Sequence, residues 1–292
     1  MDIDITPPGR FAFLLEYFGA PFCGWQTQTR RQQDAPHSSA NEPKNGVQYV
    51  VERAISAIAQ CPMRVVVAGR TDAGAHASAQ VCHADIPVAR PLTAWVRGVN
   101  AHLPASVSIL WAQPVNNEFH ARFSATARHY TYWLENRPQR SGLWATRVGW
   151  YSHNLDERKM HVAAQSLLGT HDFSSFRSAE CQAKSPVKTM KAFTITRYGD
   201  FLCFNCTGNA FLHHMVRNII GALIWIGNDK KPVGWLEELL ACRDRTRAAP
   251  TFSAEGLYFS GIDYDDAFNL PPTRRMPRLG VVGHDVASKD AP

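Results

Sequence analysis

The sequence is short of charge and of long apolar runs. Asp, Glu, Lys and Arg make up 19% of its 292 residues, and the longest clean apolar stretch is Ile219 to Gly227. That stretch is far below the roughly 20 residues a membrane-spanning helix needs. The opening MDIDITPPGR is acidic and has no apolar core of the kind a secretory signal carries. Seven cysteines, an odd number, are scattered at 23, 61, 82, 181, 203, 206 and 242. They offer no disulfide framework and point to a reducing compartment, so a soluble, cytoplasmic protein is expected. Cofactor motifs are missing too. No GxGxxG opens a helix after a strand, and Gly69 to Gly74 lacks the Lys-Ser/Thr of a P-loop. Cys203 and Cys206 form a CxxC, but their odd spacing in an alternating strand sends the two thiols to opposite faces. No second CxxC or HxxxH completes a zinc set. Neither a metal nor an organic cofactor is expected.

What is present suits a globular protein of one large domain or two ordinary ones. Hydrophobic residues make up 45%, enough for each half to bury a core. Lys plus Arg number 31 against 25 Asp plus Glu, a net +6 with a pI near 9.0. That balance fits a polyanionic partner, whose condensed counterions are released on binding. A mildly basic protein with no such partner fits the same numbers.

Periodicity predicts strands over Phe11–Tyr17, Val65–Val67, Ala79–Ile86 and Val107–Ala112, and helices over Val47–Ile58 and Leu92–Leu103. The second half repeats the alternation. Strands are predicted at Ala127–Glu135, Phe193–Arg197, Phe201–Thr207 and Gly256–Tyr264, with a two-residue turn at Gly199-Asp200. Helices are predicted at Asp156–Leu168, His213–Ile226 and Pro232–Cys242. Residues 27–45 are polar, without periodicity, and read as a mobile loop. The pattern predicts an α+β chain with mixed or antiparallel sheets. Its expected parts are an N-terminal α+β domain over 1–115, a C-terminal α+β domain over 116–270 and a flexible tail over 271–292.

The loop Gly69-Arg70-Thr71-Asp72-Ala73-Gly74-Ala75-His76 lies between two predicted strands. Its glycines allow positive φ and close approach of a bound molecule. If the segment is extended, Arg70 and Asp72 project to one side, where a guanidinium would aim the carboxylate for covalent catalysis. A simple turn with an Asp cap and a surface ion pair is the competing reading.

The loop sequence AGRTDAGAH closely resembles the hallmark loop of the tRNA pseudouridine synthases of the TruA type. Further motifs follow in the order that family has them. They are Tyr17 with Gly24-Trp25-Gln26, Gly98-Val99-Asn100 with Leu103-Pro104, the run from Phe119 to Tyr130, Asp172 to Arg177, Phe211 to Asn218, and Glu255-Gly256-Leu257. The resemblance covers about residues 10–265. It implies a pseudouridine synthase fold, two α+β halves flanking a central basic cleft. It also implies an isomerase that detaches uracil from C1′, turns it and reattaches it through C5, with Asp72 as nucleophile on C1′ or on C6. Tyr130 would stack on or hydrogen-bond the uracil, Arg70 would hold the flipped nucleotide and pair with Asp72, and Leu257 would wall the ring. Arg217, with His213 and His214 one turn before it, would contact phosphate or base; a satisfied ion pair is the equal alternative. Arg122, Arg128 and Arg177 are further candidates for the RNA backbone. The implied partner is the tRNA anticodon stem-loop, with uridines 38, 39 and 40 as targets, lying across a homodimer.

Two features depart from the family pattern. Lys184-Ser185-Pro186 stands where an Arg-Thr pair is common, giving a point charge in place of a fork, and the 27–45 loop is longer than usual. Two other function classes fit the sequence less well. A non-catalytic RNA-binding protein does not need a carboxylate beside phosphates. A metal-dependent nuclease needs clustered carboxylates, which the surroundings of Asp72 lack.

Overall fold

The computed structural model describes residues 5–26 and 46–277; the 27–45 loop and the tail beyond 277 lie outside the described residues. The strands are β1 (Ile5–Thr6), β2 (Gly9–Tyr17), β3 (Val66–Val67), β4 (His76–Ile86), β5 (Arg90–Pro91), β6 (Val107–Val115), β7 (Ala127–Asn136), β8 (Gly149–Tyr151), β9 (Gly169–Asp172), β10 (Val187–Tyr198), β11 (Phe201–Gly208) and β12 (Leu257–Asp263). The α-helices are α1 (Val47–Ala59), α2 (Val99–His102), α3 (Glu157–Ala164), α4 (Met215–Gly227) and α5 (Trp235–Cys242).

The unbroken apolar run of β2 has a simple cause: five consecutive residues, Phe11 to Leu15, are buried, as in a strand covered on both faces. It lies between β4 and β6 in one sheet of order β6-β2-β4-β12-β7-β11-β10-β9, with β3 on β4 and β8 on β7. The chain is α+β, as expected, and its sheet is mixed. The pairs β4–β12 and β7–β8 are parallel and the others antiparallel. The two sequence halves share this single sheet. The last strand, β12, is the seam: it pairs with β7 on one side and, through Tyr258 and Phe259, with His76 and Ala77 of β4 on the other.

Two cores flank the seam. Phe259 and Ile262 of β12 pack with β2, β4 and α1, whereas Leu257 packs with β7, β11, α3 and α4. The amphipathic stripe of α1 buries Val47, Val51, Ala54 and Ile55, while α4 is buried nearly all round. Cys203 and Cys206 fall in different clusters, the opposite-face placement their spacing predicts. The Gly199 turn joins β10 to β11 with Tyr198 opposite Phe201, as predicted for two residues.

Four helices differ from expectation, the one predicted from Pro232 to Cys242 by beginning only at Trp235. The predicted 92–103 helix is a π-helical stretch, Ala94–Gly98, followed by the short α2. The helix predicted from Asp156 to Leu168 has Asp156 as its cap, its side chain accepting from the Arg158 and Lys159 amides, and tightens to a 3-10 turn after Ala164. The helix predicted from His213 begins only at Met215, because His214 is left-handed with φ 61°. That kink decides where both histidines sit.

Candidate active site

The catalytic-loop candidate is a folded turn. The Ala75 amide donates to the Asp72 carbonyl at 3.1 Å, and Gly74 takes φ +81°. Only Gly74 uses the positive φ expected of both glycines; Gly69 instead lies against the Phe259 ring, with 3.1 Å left for a side-chain carbon. A second loop braces the turn from outside. Trp25 N–H donates to the Thr71 carbonyl at 3.0 Å, and Gly24, at φ +98°, approaches so closely that a Cβ would stand 2.8 Å from that oxygen. Tyr17 and Thr71 hydroxyls hydrogen-bond at 2.8 Å, and buried Gln80 donates to the Gly69 carbonyl at 2.7 Å.

The far end of the loop is pinned by His76. Its Nδ1 accepts from the Gly19 amide at 2.8 Å, so its Nε2 carries the proton that it donates to the Glu255 carbonyl at 2.9 Å. Phe18 stacks on the ring at 5.0 Å. Burial lowers this imidazole to about 4, which keeps it neutral. One side chain thereby ties the loops at 19, 72–76 and 255 together. Its position at the end of AGRTDAGAH was visible in the sequence, but its partners lie too far along the chain for spacing to find them.

Asp72 points toward the N-terminal turn of α4. Arg217 Nη1 donates to its Oδ2 at 2.8 Å, while the Nε2 atoms of His213 and His214 stand 3.5 Å from Oδ1 and Oδ2. The carboxylate is 16% exposed, enough to meet a substrate. Arg217 is itself fixed, since its Nε donates to the Phe252 carbonyl at 2.8 Å. Burial pushes His214 below the usual histidine range, the nearby Asp72 acting the other way and Arg217 and His213 adding to the depression.

The expected Arg70–Asp72 pair is not among the ion pairs of the described residues. Arg70 is exposed, and Arg217 holds the carboxylate instead. The expectation assumed an extended segment, and the turn at 72–75 removes the two-residue alternation on which it rested. Of the alternatives for Arg217, the ion pair is the one observed.

Tyr130 of β7 lies where the two cores meet, its ring edge-on to Phe211 at 4.8 Å and to Phe259 at 5.0 Å. Burial first, and the Asp72 charge second, push its phenol above the usual tyrosine value, so at neutral pH it offers an O–H and cannot act as a phenolate base. Leu257 is buried at the start of β12 opposite Tyr132. Arg128 and Arg177 are spent on carbonyl oxygens, Arg128 on those of Ala125, Asn209 and Arg122, and Arg177 on those of Cys181 and Ala183. Arg122 and Lys184 are exposed. Asp72, His213 and His214 bring one potential metal ligand each within 4.8 Å of one another, but a cation there would compete with the guanidinium already on Oδ2. No helix of the described residues is long and apolar enough to cross a membrane.

The site is thus an aspartate turn from one half opposed by the Arg217 helix and the Tyr130 strand of the other. The family model for tRNA pseudouridine synthase matches residues 17–124 and 163–265. The chain belongs to that family. It is 51% identical over 262 residues to tRNA pseudouridine synthase A of Nitrosomonas eutropha, covering 90% of each chain. It is 53% identical over 262 residues to the protein of that name from Thiobacillus denitrificans, covering 90% of this chain and 96% of the relative. Against the Dechloromonas aromatica protein of the same name the figure is 50%, over 90% and 95%.

Proposed function

We propose that the chain converts uridines of the tRNA anticodon stem-loop, at positions 38, 39 and 40, to pseudouridine, with Asp72 as nucleophile. The family makes it an isomerase acting on uridine in tRNA. The observation that carries the finer reading is the Asp72 carboxylate, partly open and locked by Arg217 beside Tyr130. A fixed carboxylate spends no reorganisation when it attacks. C1′ and C6 are both shielded in a stem, so the nucleotide must leave the stack before either can be attacked. Asp72 adds to C1′ or C6, the C1′–N1 bond breaks, the freed uracil turns, C1′–C5 forms, the bond to Asp72 breaks to regenerate the carboxylate, and the proton lost from C5 is balanced by one gained at N1. No metal or organic group enters this balance.

The protonated Tyr130 hydroxyl and ring suit uracil, Leu257 supplies apolar wall, and exposed Arg70 is free to hold the flipped nucleotide. The halves 1–115 and 116–270 act as two walls of a basic cleft. That division is supported by Asp72 coming from the first and Tyr130, Arg217 and Leu257 from the second. A cytoplasmic homodimer with the tRNA lying across both subunits follows from the motif resemblance. Asp72→Asn keeps the shape but removes the nucleophile. It is expected to abolish conversion of a tRNA transcript while leaving affinity within about an order of magnitude. Turnover above a few per cent of wild type removes Asp72 from the role.

A further inference from the structure

Phe123 is 76% exposed, yet the turn that carries it is braced by several hydrogen bonds. A single exposed aromatic needs no explanation by itself; its bracing does. The amides of Arg122 and Phe123 both donate to His120 Nδ1 at 3.2 Å, and the Ser124 amide donates to the His120 carbonyl at 2.9 Å. Arg128 then clamps the turn from the sheet, donating to the Arg122 carbonyl at 2.6 Å and to that of Asn209 at 2.7 Å. One side of the Phe123 ring is covered by the His120 imidazole at 4.3 Å, and the Arg122 guanidinium lies 5.7 Å from its centre.

The location follows from strand geometry. Arg128 precedes Tyr130 by two residues on β7, so both side chains stand on the same face of the sheet, roughly 7 Å apart at the backbone. The turn that Arg128 holds therefore sits on the face that carries the active site. A ring that is largely exposed, contacted by an imidazole and with a guanidinium over it, is the chemistry that takes a nucleobase and its phosphate. A single exposed ring is a small footprint beside the roughly 800 Å² per partner that a stable protein interface buries.

We infer that Phe123, backed by His120 and flanked by Arg122, is a stacking platform for an unpaired base of the tRNA other than the isomerised uridine. The platform rests on the function proposed above and adds a contact to it. Tight bracing pre-pays the ordering of the ring, so stacking is gained at little entropic cost. Arg122 supplies the phosphate contact beside that base.

The test compares tRNA binding and single-turnover conversion for Phe123→Ala, Phe123→Trp and Arg122→Ala. Phe123→Ala is expected to weaken binding by about 5- to 150-fold, the range for loss of one base–aromatic stack. Conversion at saturating tRNA should stay near wild type and Phe123→Trp should restore affinity. A series of transcripts, each abasic at one loop position, locates the base: the position that weakens wild type should have no further effect on Phe123→Ala. Wild-type affinity for Phe123→Ala, or a penalty that remains additive at every abasic position, overturns the platform. A change of oligomeric state on substitution assigns Phe123 to a subunit interface and also overturns it. Asp72→Asn run alongside separates the two readings: if it fails to stop conversion, the function fails, whereas a silent Phe123→Ala beside a dead Asp72→Asn removes only the platform.

Discussion

Arg217 grips Asp72 across 145 residues of sequence, Nη1 to Oδ2 at 2.8 Å, while its Nε holds the Phe252 carbonyl at the same distance. The guanidinium is a bridge with both ends occupied, so the carboxylate inherits its aim from the α4 half of the molecule. Arg217→Lys keeps the charge but loses the planar fork that serves two acceptors at once. Misaiming a nucleophile by about 1 Å costs on the order of 10²-fold. Both Arg217→Lys and Arg217→Ala should therefore lower the single-turnover rate by about 10²-fold or more. Wild-type rates for Arg217→Lys would mean that charge alone is sufficient.

Tyr130 offers a second test, because ring and hydroxyl can be separated. Phe keeps the face that meets uracil, so Ala should weaken engagement of the base by roughly 1–3 kcal/mol more than Phe does. If the O–H gives a proton during reattachment, Phe should lower single-turnover conversion by about 10²–10⁴ with binding intact. Burial raises this phenol above its usual value, so no rate step from its ionisation is expected as pH approaches 10. Wild-type rates for both variants would make Tyr130 a packing residue.

His76 predicts how stability depends on pH. Its imidazole sits at about 4 in the fold against an ordinary 6.5, so between those values the unfolded chain holds a proton that the folded chain does not. Its contribution is fully present above 6.5 and falls by about 1.4 kcal/mol per pH unit as pH drops toward 4. His83, buried and also lowered to about 4, acts in the same direction. Urea unfolding at pH 8 and pH 5 measures the loss. His76→Gln should be less stable at pH 8 but flatter between the two, and an unchanged slope would remove His76 as its source.

Affinity for tRNA should fall linearly on a log–log plot against salt, with a slope reporting several phosphate contacts. A flat response would mean that the exposed basic residues, Arg70 and Arg122 among them, do not meet RNA.

Much of the fold was legible where one period rules a segment. The β10–β11 hairpin shows it, because alternation and a Gly199-Asp200 turn are local signals. The position of β12 was not legible. Its pairing with β4 is set by packing of Phe259 and Ile262 into a core that local pattern does not reveal. In the candidate site, Asp72 was singled out by its loop motif and Tyr130 by the run from Phe119 to Tyr130 that resembles the family's. The partner of Asp72 was misassigned, because proximity in sequence favoured Arg70 over Arg217, which only the folded α4 brings near. His213 and His214 were read as helical, and their place at the carboxylate depends on one left-handed residue that nothing in the sequence marks.

The seam strand has a consequence for synthesis. Tyr258 meets His76 across about 180 residues, among the most distant pairings in the molecule, and such contacts form late and slowly. A ribosome makes Asp72, Tyr130 and Arg217 before it makes β12. Until β12 arrives, the edges of β4 and β7 that it covers stand open to other chains. A nascent chain of this protein therefore carries Asp72, Tyr130 and Arg217 before it carries the strand that brings them together, and that strand also brings Leu257. Its final stretch of translation is when it is most exposed to misassembly and when it first becomes an enzyme.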